Sequence, residues 1–102
     1  MHVEVLHIDD CPNWVETGRR VATALHAIGR GEVVVRYRLI DTPEAAEVTG
    51  FAGSPTIAVD GLDLFPSEGR TSDLACRIYF TPEGIAGLPT VQQLVGALES
   101  QP

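Results

Sequence analysis

The sequence predicts a single α/β domain in which a four-stranded mixed sheet is flanked by three helices. Its 102 residues, 44% of them hydrophobic, suffice for one ordinary core and not for two, so residues 1–102 are expected to form one domain. The hydrophobic period changes along the chain in the order β-α-β-α-β-β-α. Segments of helical length separate the first three strands, as right-handed parallel crossovers require.

The first strand and first helix follow each other directly. Residues 3–8 are an apolar run with β-branched members, which is typical of a buried strand. From Pro12 onward apolar residues recur three or four positions apart, which predicts an amphipathic helix ending at the Gly-Arg-Gly sequence of residues 29–31. Residues 32–40 alternate apolar residues with arginines toward their end. This second strand is therefore expected to have one side in solvent.

The middle of the chain carries clear start and stop signals. Thr42 followed by Pro43 predicts the cap and first position of a short helix, which Gly50 ends. Residues 56–59 then form a strand of four. The Asp-Gly pair at residues 60–61 predicts a hairpin turn.

The last third of the chain is less regular. Residues 62–74 are rich in Pro, Ser, Gly and acidic residues and predict an irregular loop. Residues 75–80 are interpreted as the fourth strand, antiparallel to the third. Thr90 and Gln93 match a capping box, and an apolar stripe follows them, so the chain is expected to end in a helix.

Composition narrows the class of function. The net charge of −7, with all seven basic residues being arginine, argues against nucleic acid as a partner. No apolar run approaches the roughly 20 residues of a membrane span, and the N-terminus lacks the regions of a signal peptide, so we expect a cytoplasmic protein without a membrane partner. The acidic residues are interpreted as a solvated surface: Asp9, Asp10, Asp60, Asp63 and Glu68.

Cys11 lies between the first strand and the first helix. Pro12 suits the first helical position and leaves the cysteine at the cap, where free backbone N–H groups and the helix dipole stabilise a thiolate. An exposed, reactive Cys11 is therefore expected. Asp9 and Asp10 oppose the thiolate, so the direction of its pKa shift stays open. A buried packing role for the thiol is the alternative.

A second element lies directly before the third strand, at Ser54-Pro55-Thr56. A proline there is confined to a special turn, in the trans or the rarer cis form. Together with the order of elements, the sequence C-P-N-W from Cys11 to Trp14 and the sequence G-S-P-T ending at Thr56 resemble the thioredoxin superfamily over nearly the whole chain. They resemble in particular a group of small bacterial thioredoxin-like proteins.

The resemblance implies roles for individual residues. Cys11 would be the nucleophile and Pro12 would tune it, while the proline loop would face the sulfur. Backbone groups of Ser54-Pro55-Thr56 would hold an extended peptide or glutathione. Trp14, however, stands where the family has its second, resolving cysteine, so the usual disulfide cannot form within this motif. The resemblance thus implies a monothiol cycle in which an outside thiol resolves the mixed disulfide.

Two side chains keep more than one interpretation. Trp14 is expected to pack on the core or to shield the sulfur. Cys76 opens the predicted fourth strand, and in a simple hairpin it lies too far from Cys11 for the Cα separation of about 7 Å or less that a disulfide needs. It is then a buried structural thiol. If residues 62–74 folded back toward the cleft, Cys76 would instead replace the missing resolving cysteine.

Two functional hypotheses follow. The first is a cytoplasmic thiol-disulfide oxidoreductase, monothiol or using Cys11 with Cys76, that acts on protein disulfides or glutathione adducts without a resident cofactor. Glutathione is a candidate co-substrate. The second is a non-catalytic thioredoxin-like module that binds a protein partner or a soft metal ion between two thiolates. The histidine spacing of a zinc site is lacking. The oligomeric state is left open.

Overall fold

The fold is a mixed α/β arrangement, as predicted. In a computed structural model of the chain, residues 1–66 and 74–101 are described, so the predicted loop over residues 62–74 lies partly outside the described residues. The elements, in chain order, are β1 (Val3–His7), α1 (Trp14–Ala27), β2 (Val35–Leu39), α2 (Pro43–Thr49), β3 (Thr56–Val59), β4 (Leu62–Asp63), β5 (Tyr79–Thr81), β6 (Gly84–Ala86) and α3 (Val91–Glu99).

The main sheet has four strands in the order β2-β1-β3-β4. β1 and β2 are parallel, but β3 is antiparallel to β1, so the expectation of three parallel strands is wrong for β3. The seven-residue helix α2 is about 10 Å long, too short to carry the chain back past a strand of about 17 Å. The connection through α2 therefore leaves β2 and enters β3 at the same end of the strands.

The fourth strand is not where the sequence predicted it. After the turn at Asp60 and Gly61, whose φ angles of 51° and 84° suit a primed hairpin turn, the chain pairs at once as β4. The prediction of a strand over residues 75–80 is therefore wrong for residues 75–78. Only Tyr79–Thr81 is a strand, and it pairs with β6 in a separate hairpin. Since β4 already covers the edge of β3, the later segment had to lie elsewhere.

Caps at the helix ends follow the predicted signals. Thr42 Oγ1 accepts the N–H of Ala45 at 3.1 Å, and Gly50 ends α2 in the left-handed conformation, with φ 71°. Thr90 and Gln93 form the predicted capping box of α3. These local predictions are confirmed. Within the described parts of the chain, no helix combines the length and apolar character that crossing a membrane needs.

Each face of the sheet has its own apolar core. Helices α1 and α3 cover one face, and its buried members are Val3, Val21, Ala24, Leu25, Ile57, Val59, Leu64, Leu94 and Leu98. The smaller cluster on the other face lies under α2 and consists of Leu6, Ile8, Cys11, Ile40, Ala46, Phe51 and Ala58. The alternation of side chains along β1 divides its residues between the two cores. Cys11 thus belongs to the α2 core.

Candidate functional site

Cys11 and Cys76 are joined by a disulfide. Their Cα atoms lie 6.0 Å apart although the residues are 65 positions apart in sequence. The expectation that the two cysteines lie too far apart is therefore wrong. Residues 75–77 do not continue a hairpin on β3 but run beside the proline loop, where Cys76 forms an isolated parallel bridge with Ser54. This placement brings the second sulfur to the first.

The proline loop is tightly built. The Ser54-Pro55 peptide bond is cis, and all three residues of Ser54-Pro55-Thr56 are buried. Ser54 Oγ accepts the N–H of Ile8 at 3.1 Å. Thr56 Oγ1 accepts the N–H of Ala52 at 3.0 Å and donates to the Gly53 carbonyl at 2.6 Å. Both hydroxyl groups therefore hold the loop in place.

The backbone of Ser54 binds the chain's own segment. Its N–H donates to the Ala75 carbonyl at 2.8 Å, and its carbonyl accepts the N–H of Arg77, also at 2.8 Å. The resemblance assigned these backbone groups to a substrate strand. In this structure the residue between the two hydrogen-bonded positions is Cys76, which is also the disulfide partner of Cys11.

Cys11 is fully buried, so the prediction of an exposed cysteine is wrong. Helix α1 begins at Trp14 with Asn13 as its N-cap, which places Pro12 in the preceding turn and Cys11 two residues before the cap rather than at it. From there the Cys11 side chain enters the α2 core, where it packs as a small hydrophobic group. Cys76, in contrast, is exposed. The two halves of the disulfide thus differ sharply in access.

Arg77 anchors the segment that carries Cys76. Its Nη1 lies 3.0 Å from Asp63 Oδ2, and the two side chains are only 7% and 6% exposed. Its Nη2 also donates to the Phe65 carbonyl. The guanidinium carbon lies 4.7 Å from the centre of the Tyr79 ring, within the range of a cation–π contact. Residues 77–79 are therefore fastened to β4 by contacts that do not involve sulfur.

Sequence reasoning missed Arg77, Asp63 and Tyr79. Asp63 was assigned to a solvated acidic surface, and this is wrong because its carboxylate is paired and buried. Asp9, Asp10 and Asp60 are exposed as predicted, whereas Glu68 lies outside the described residues. The available signal was the alternation C-R-I-Y, since residues two apart on an extended chain share a face and Arg77 and Tyr79 are two apart.

Tyr79 ties the same segment to the proline loop. Its hydroxyl donates to the Pro55 carbonyl at 2.5 Å. Burial raises the pKa of the Tyr79 phenol above its ordinary 10.0, and the charge of Asp63 adds to the rise, while the charge of Arg77 lowers it. The neutral, donating form of the phenol is therefore maintained.

Tyr79→Phe is expected to destabilise the protein by about 1–2 kcal/mol near neutral pH, because the buried Pro55 carbonyl loses its donor. Above about pH 10 the difference should narrow. The unfolded wild-type chain then releases the Tyr79 proton while the folded chain keeps it, so wild-type stability falls by up to about 1.4 kcal/mol per pH unit. Urea unfolding of both proteins at about pH 8 and about pH 11 measures this. Equal slopes against pH would contradict the assignment.

Trp14 belongs to an aromatic group on the α1 side of the sheet. Its ring stacks on His7 at a centroid distance of 4.1 Å and meets the edge of Tyr37 at 5.4 Å. These contacts support the interpretation that Trp14 packs against the sheet rather than the interpretation that it shields the sulfur. His7 is buried, and its Nδ1 has no hydrogen-bond partner among the residues described. Both aromatic contacts join α1 to β1 and β2.

A cavity of about 470 Å³ opens beside the exposed half of the disulfide. Its lining is mainly apolar and includes Gly53, Phe65, Ala75, Cys76, Ile78 and Tyr79. The Phe65 and Tyr79 rings meet edge to face, with centroids 5.7 Å apart. The cavity therefore adjoins the exposed Cys76 half of the disulfide.

A metal site is the other kind of site that the sequence left open. In the parts of the chain that are described, no three His, Cys, Asp or Glu side chains converge as metal ligands. The proline loop, the disulfide and the anchored segment are the features from which we infer a function.

No protein-family model, no curated protein and no solved structure matches this chain.

Proposed function

We propose that this protein is a thioredoxin-like thiol-disulfide oxidoreductase whose redox pair is Cys11 and Cys76. The observation that carries the proposal is the disulfide between a buried cysteine before α1 and an exposed cysteine bridged to Ser54 in the proline loop. An exposed sulfur in a disulfide is open to thiol attack. The mixed sheet order and the proline loop before β3 support the thioredoxin-like description.

The proposed cycle uses two thiols of the protein. In the reduced form one cysteine thiolate attacks a substrate disulfide, forms a mixed disulfide and releases the first substrate thiolate. The second cysteine attacks the mixed disulfide, closes the Cys11–Cys76 bond and releases the second substrate thiolate. Two electrons thus pass from the protein to the substrate. We therefore propose a two-cysteine cycle with Cys76 as the partner of Cys11, in place of the monothiol cycle.

Contacts that do not depend on sulfur favour a two-cysteine cycle. The Ser54 hydrogen bonds to Ala75 and Arg77, and the Arg77 ion pair with Asp63, hold Cys76 in place from both sides. None of these contacts involves a sulfur atom, so we expect them to persist when the disulfide is reduced. Two thiols held together in this way react as an intramolecular pair, at an effective concentration that an outside thiol does not reach. Closure by Cys76 or Cys11 therefore outcompetes resolution from solution.

The proposed compartment is the cytoplasm, where thiol pools return the pair to its dithiol form after each turnover. Protein disulfides are the proposed substrates, and glutathione is a candidate reductant. The rival hypothesis of a soft metal between two thiolates requires the same reduced pair. A thiol count in the presence of substrate disulfide separates redox turnover from simple binding.

The test follows the reduced protein after addition of a peptide disulfide, with mass spectrometry of acid-quenched, alkylated samples. Wild-type protein is expected to lose both thiols and end as the internal disulfide, releasing two peptide thiols. Cys11→Ser and Cys76→Ser should each stop at a mixed disulfide. The double variant and urea-unfolded wild-type protein are the controls. Exchange no faster in folded than in unfolded protein would overturn the proposal.

A further inference from the structure

We infer that Cys76, and not Cys11, is the sulfur that exchanges with the substrate, and that Cys11 is the buried resolving partner. This inference rests on the proposed function, but it reverses the role that the resemblance implied for Cys11. It also assigns the apolar cavity beside Cys76 as the approach for a peptide disulfide with apolar neighbours.

Access decides which sulfur of the pair is attacked. An incoming thiolate must reach the sulfur that it attacks, so burial of one sulfur directs exchange to the other. Cys11 has no exposed surface and packs against the α2 core. Cys76 is exposed and lines the cavity of about 470 Å³. An attack on Cys11 would first require opening of the core, whereas Cys76 already lies at the surface of the described part of the protein.

The proposed thiol-disulfide exchange can oxidise substrate thiols or reduce a substrate disulfide. In the oxidised protein a substrate thiolate attacks Cys76 Sγ, the Cys11–Cys76 bond breaks, and its electron pair and then a proton go to Cys11 Sγ. A second substrate thiolate next attacks the substrate sulfur of the mixed disulfide and releases the Cys76 thiolate. The substrate loses two electrons and the protein gains them. When the protein reduces its substrate, the Cys76 thiolate attacks the substrate disulfide and releases the first substrate thiolate. Cys11 then attacks Cys76 Sγ, closes the Cys11–Cys76 bond and releases the second substrate thiolate.

The lining of the cavity indicates the substrate class. Phe65 and Tyr79 form one wall, and Ile78 and Phe80, which are 61% and 78% exposed, also line the cavity. Arg77 is the cationic side chain in the described lining, and its charge is already paired with Asp63. The chain also carries a net charge of −7, which repels the carboxylates of glutathione disulfide. An apolar peptide disulfide matches this surface better.

The first test is the rate of alkylation of the reduced wild-type protein by limiting iodoacetamide, read by peptide mapping. Cys76 is expected to react at least about tenfold faster than Cys11, because Cys11 reacts only through local opening. The same ranking should appear with the peptide disulfide: Cys11→Ser should form its mixed disulfide at least about tenfold faster than Cys76→Ser. Cysteine-to-alanine variants and far-ultraviolet circular dichroism check that folding is retained.

The second test compares substrates on wild-type protein. A disulfide peptide with Leu or Phe beside its cysteine should react about tenfold faster than one with Ser or Gly, and faster than glutathione disulfide. If wild-type protein closes its disulfide but Cys11 is the residue labelled or captured first, the inference is wrong and the proposed function stands. If neither single variant exchanges faster folded than unfolded in urea, the proposed function fails as well.

Discussion

Reduction of the Cys11–Cys76 disulfide is expected to lower the free energy of unfolding by about 4 kcal/mol. The bond closes a loop of 65 residues, and in the chain-entropy model a loop of this length removes about that much conformational freedom from the unfolded state. For a domain whose total stability is of order 5–15 kcal/mol, this is a large share. Urea unfolding of wild-type protein with and without dithiothreitol measures the difference.

The control for this experiment is Cys11→Ser/Cys76→Ser, whose unfolding should not respond to dithiothreitol. The double variant should be about 1–3 kcal/mol less stable than reduced wild-type protein, because it buries a hydroxyl at position 11 among apolar side chains. Reduced and oxidised wild-type proteins of equal stability would contradict the expectation. That result would mean that the reduced unfolded chain is already as restricted as the cross-linked one.

The same free energy links folding to redox chemistry. Because the four states, folded or unfolded and oxidised or reduced, form a closed cycle, the fold must favour the disulfide by as much as the disulfide favours the fold. A difference of about 4 kcal/mol corresponds to about 10³ in the equilibrium constant for closing the bond. Equilibration with dithiothreitol in buffer and in concentrated urea gives the two constants directly. A fold that favours the disulfide to this extent favours a protein that donates electrons.

Local signals in the sequence predicted local structure well. The strand over residues 56–59, the caps at Thr42 and Gly50 and the capping box at Thr90 are confirmed as predicted. Each of these features depends on residues within a few positions of one another. A short stretch of sequence is therefore enough to predict the hydrogen bond or the φ angle involved. The cis form of Pro55 was also among the predicted alternatives.

Long-range placement could not be predicted in the same way. The position of Cys76 depends on hydrogen bonds to Ser54, 22 residues earlier, and on the ion pair of Arg77 with Asp63. Neither contact has a spacing that a periodic pattern reveals. The burial of Cys11 depends on where α1 begins. A start two residues later than expected moved the sulfur from a helix end into the α2 core.

Arg77→Met is expected to destabilise the oxidised protein by about 3 kcal/mol or more, because it leaves the Asp63 carboxylate buried without its cation. The Phe65 carbonyl loses a donor at the same time. Asp63 keeps the N–H of Phe65, at 2.9 Å, which limits the loss to the lower part of the range for broken buried pairs. Urea unfolding under non-reducing conditions measures the change without interference from the disulfide equilibrium.

The matched control is an exposed ion pair of the same length. Arg30 Nε lies 3.0 Å from Glu32 Oε2 on the surface, and Arg30→Gln should cost no more than about 0.5 kcal/mol. A second comparison, Arg77→Met/Asp63→Asn, removes the unpaired charge and keeps an acceptor for the Phe65 N–H. It should recover at least about 1 kcal/mol relative to Arg77→Met. Equal effects of Arg77→Met and Arg30→Gln would show that the buried pair does not anchor this segment.

Arg77 is also expected to affect the rate of the proposed reaction. It follows Cys76 in the sequence, and its side chain contacts Asp63. When the disulfide is reduced, Arg77→Met should leave Cys76 held by fewer contacts, so the two thiols meet less often and the bond closes more slowly. The rate of thiol loss after addition of a peptide disulfide should fall in the variant, and its mixed disulfide should persist longer. An unchanged closing rate together with the expected loss of stability would assign Arg77 to folding alone and leave the placement of Cys76 to the hydrogen bonds of Ser54.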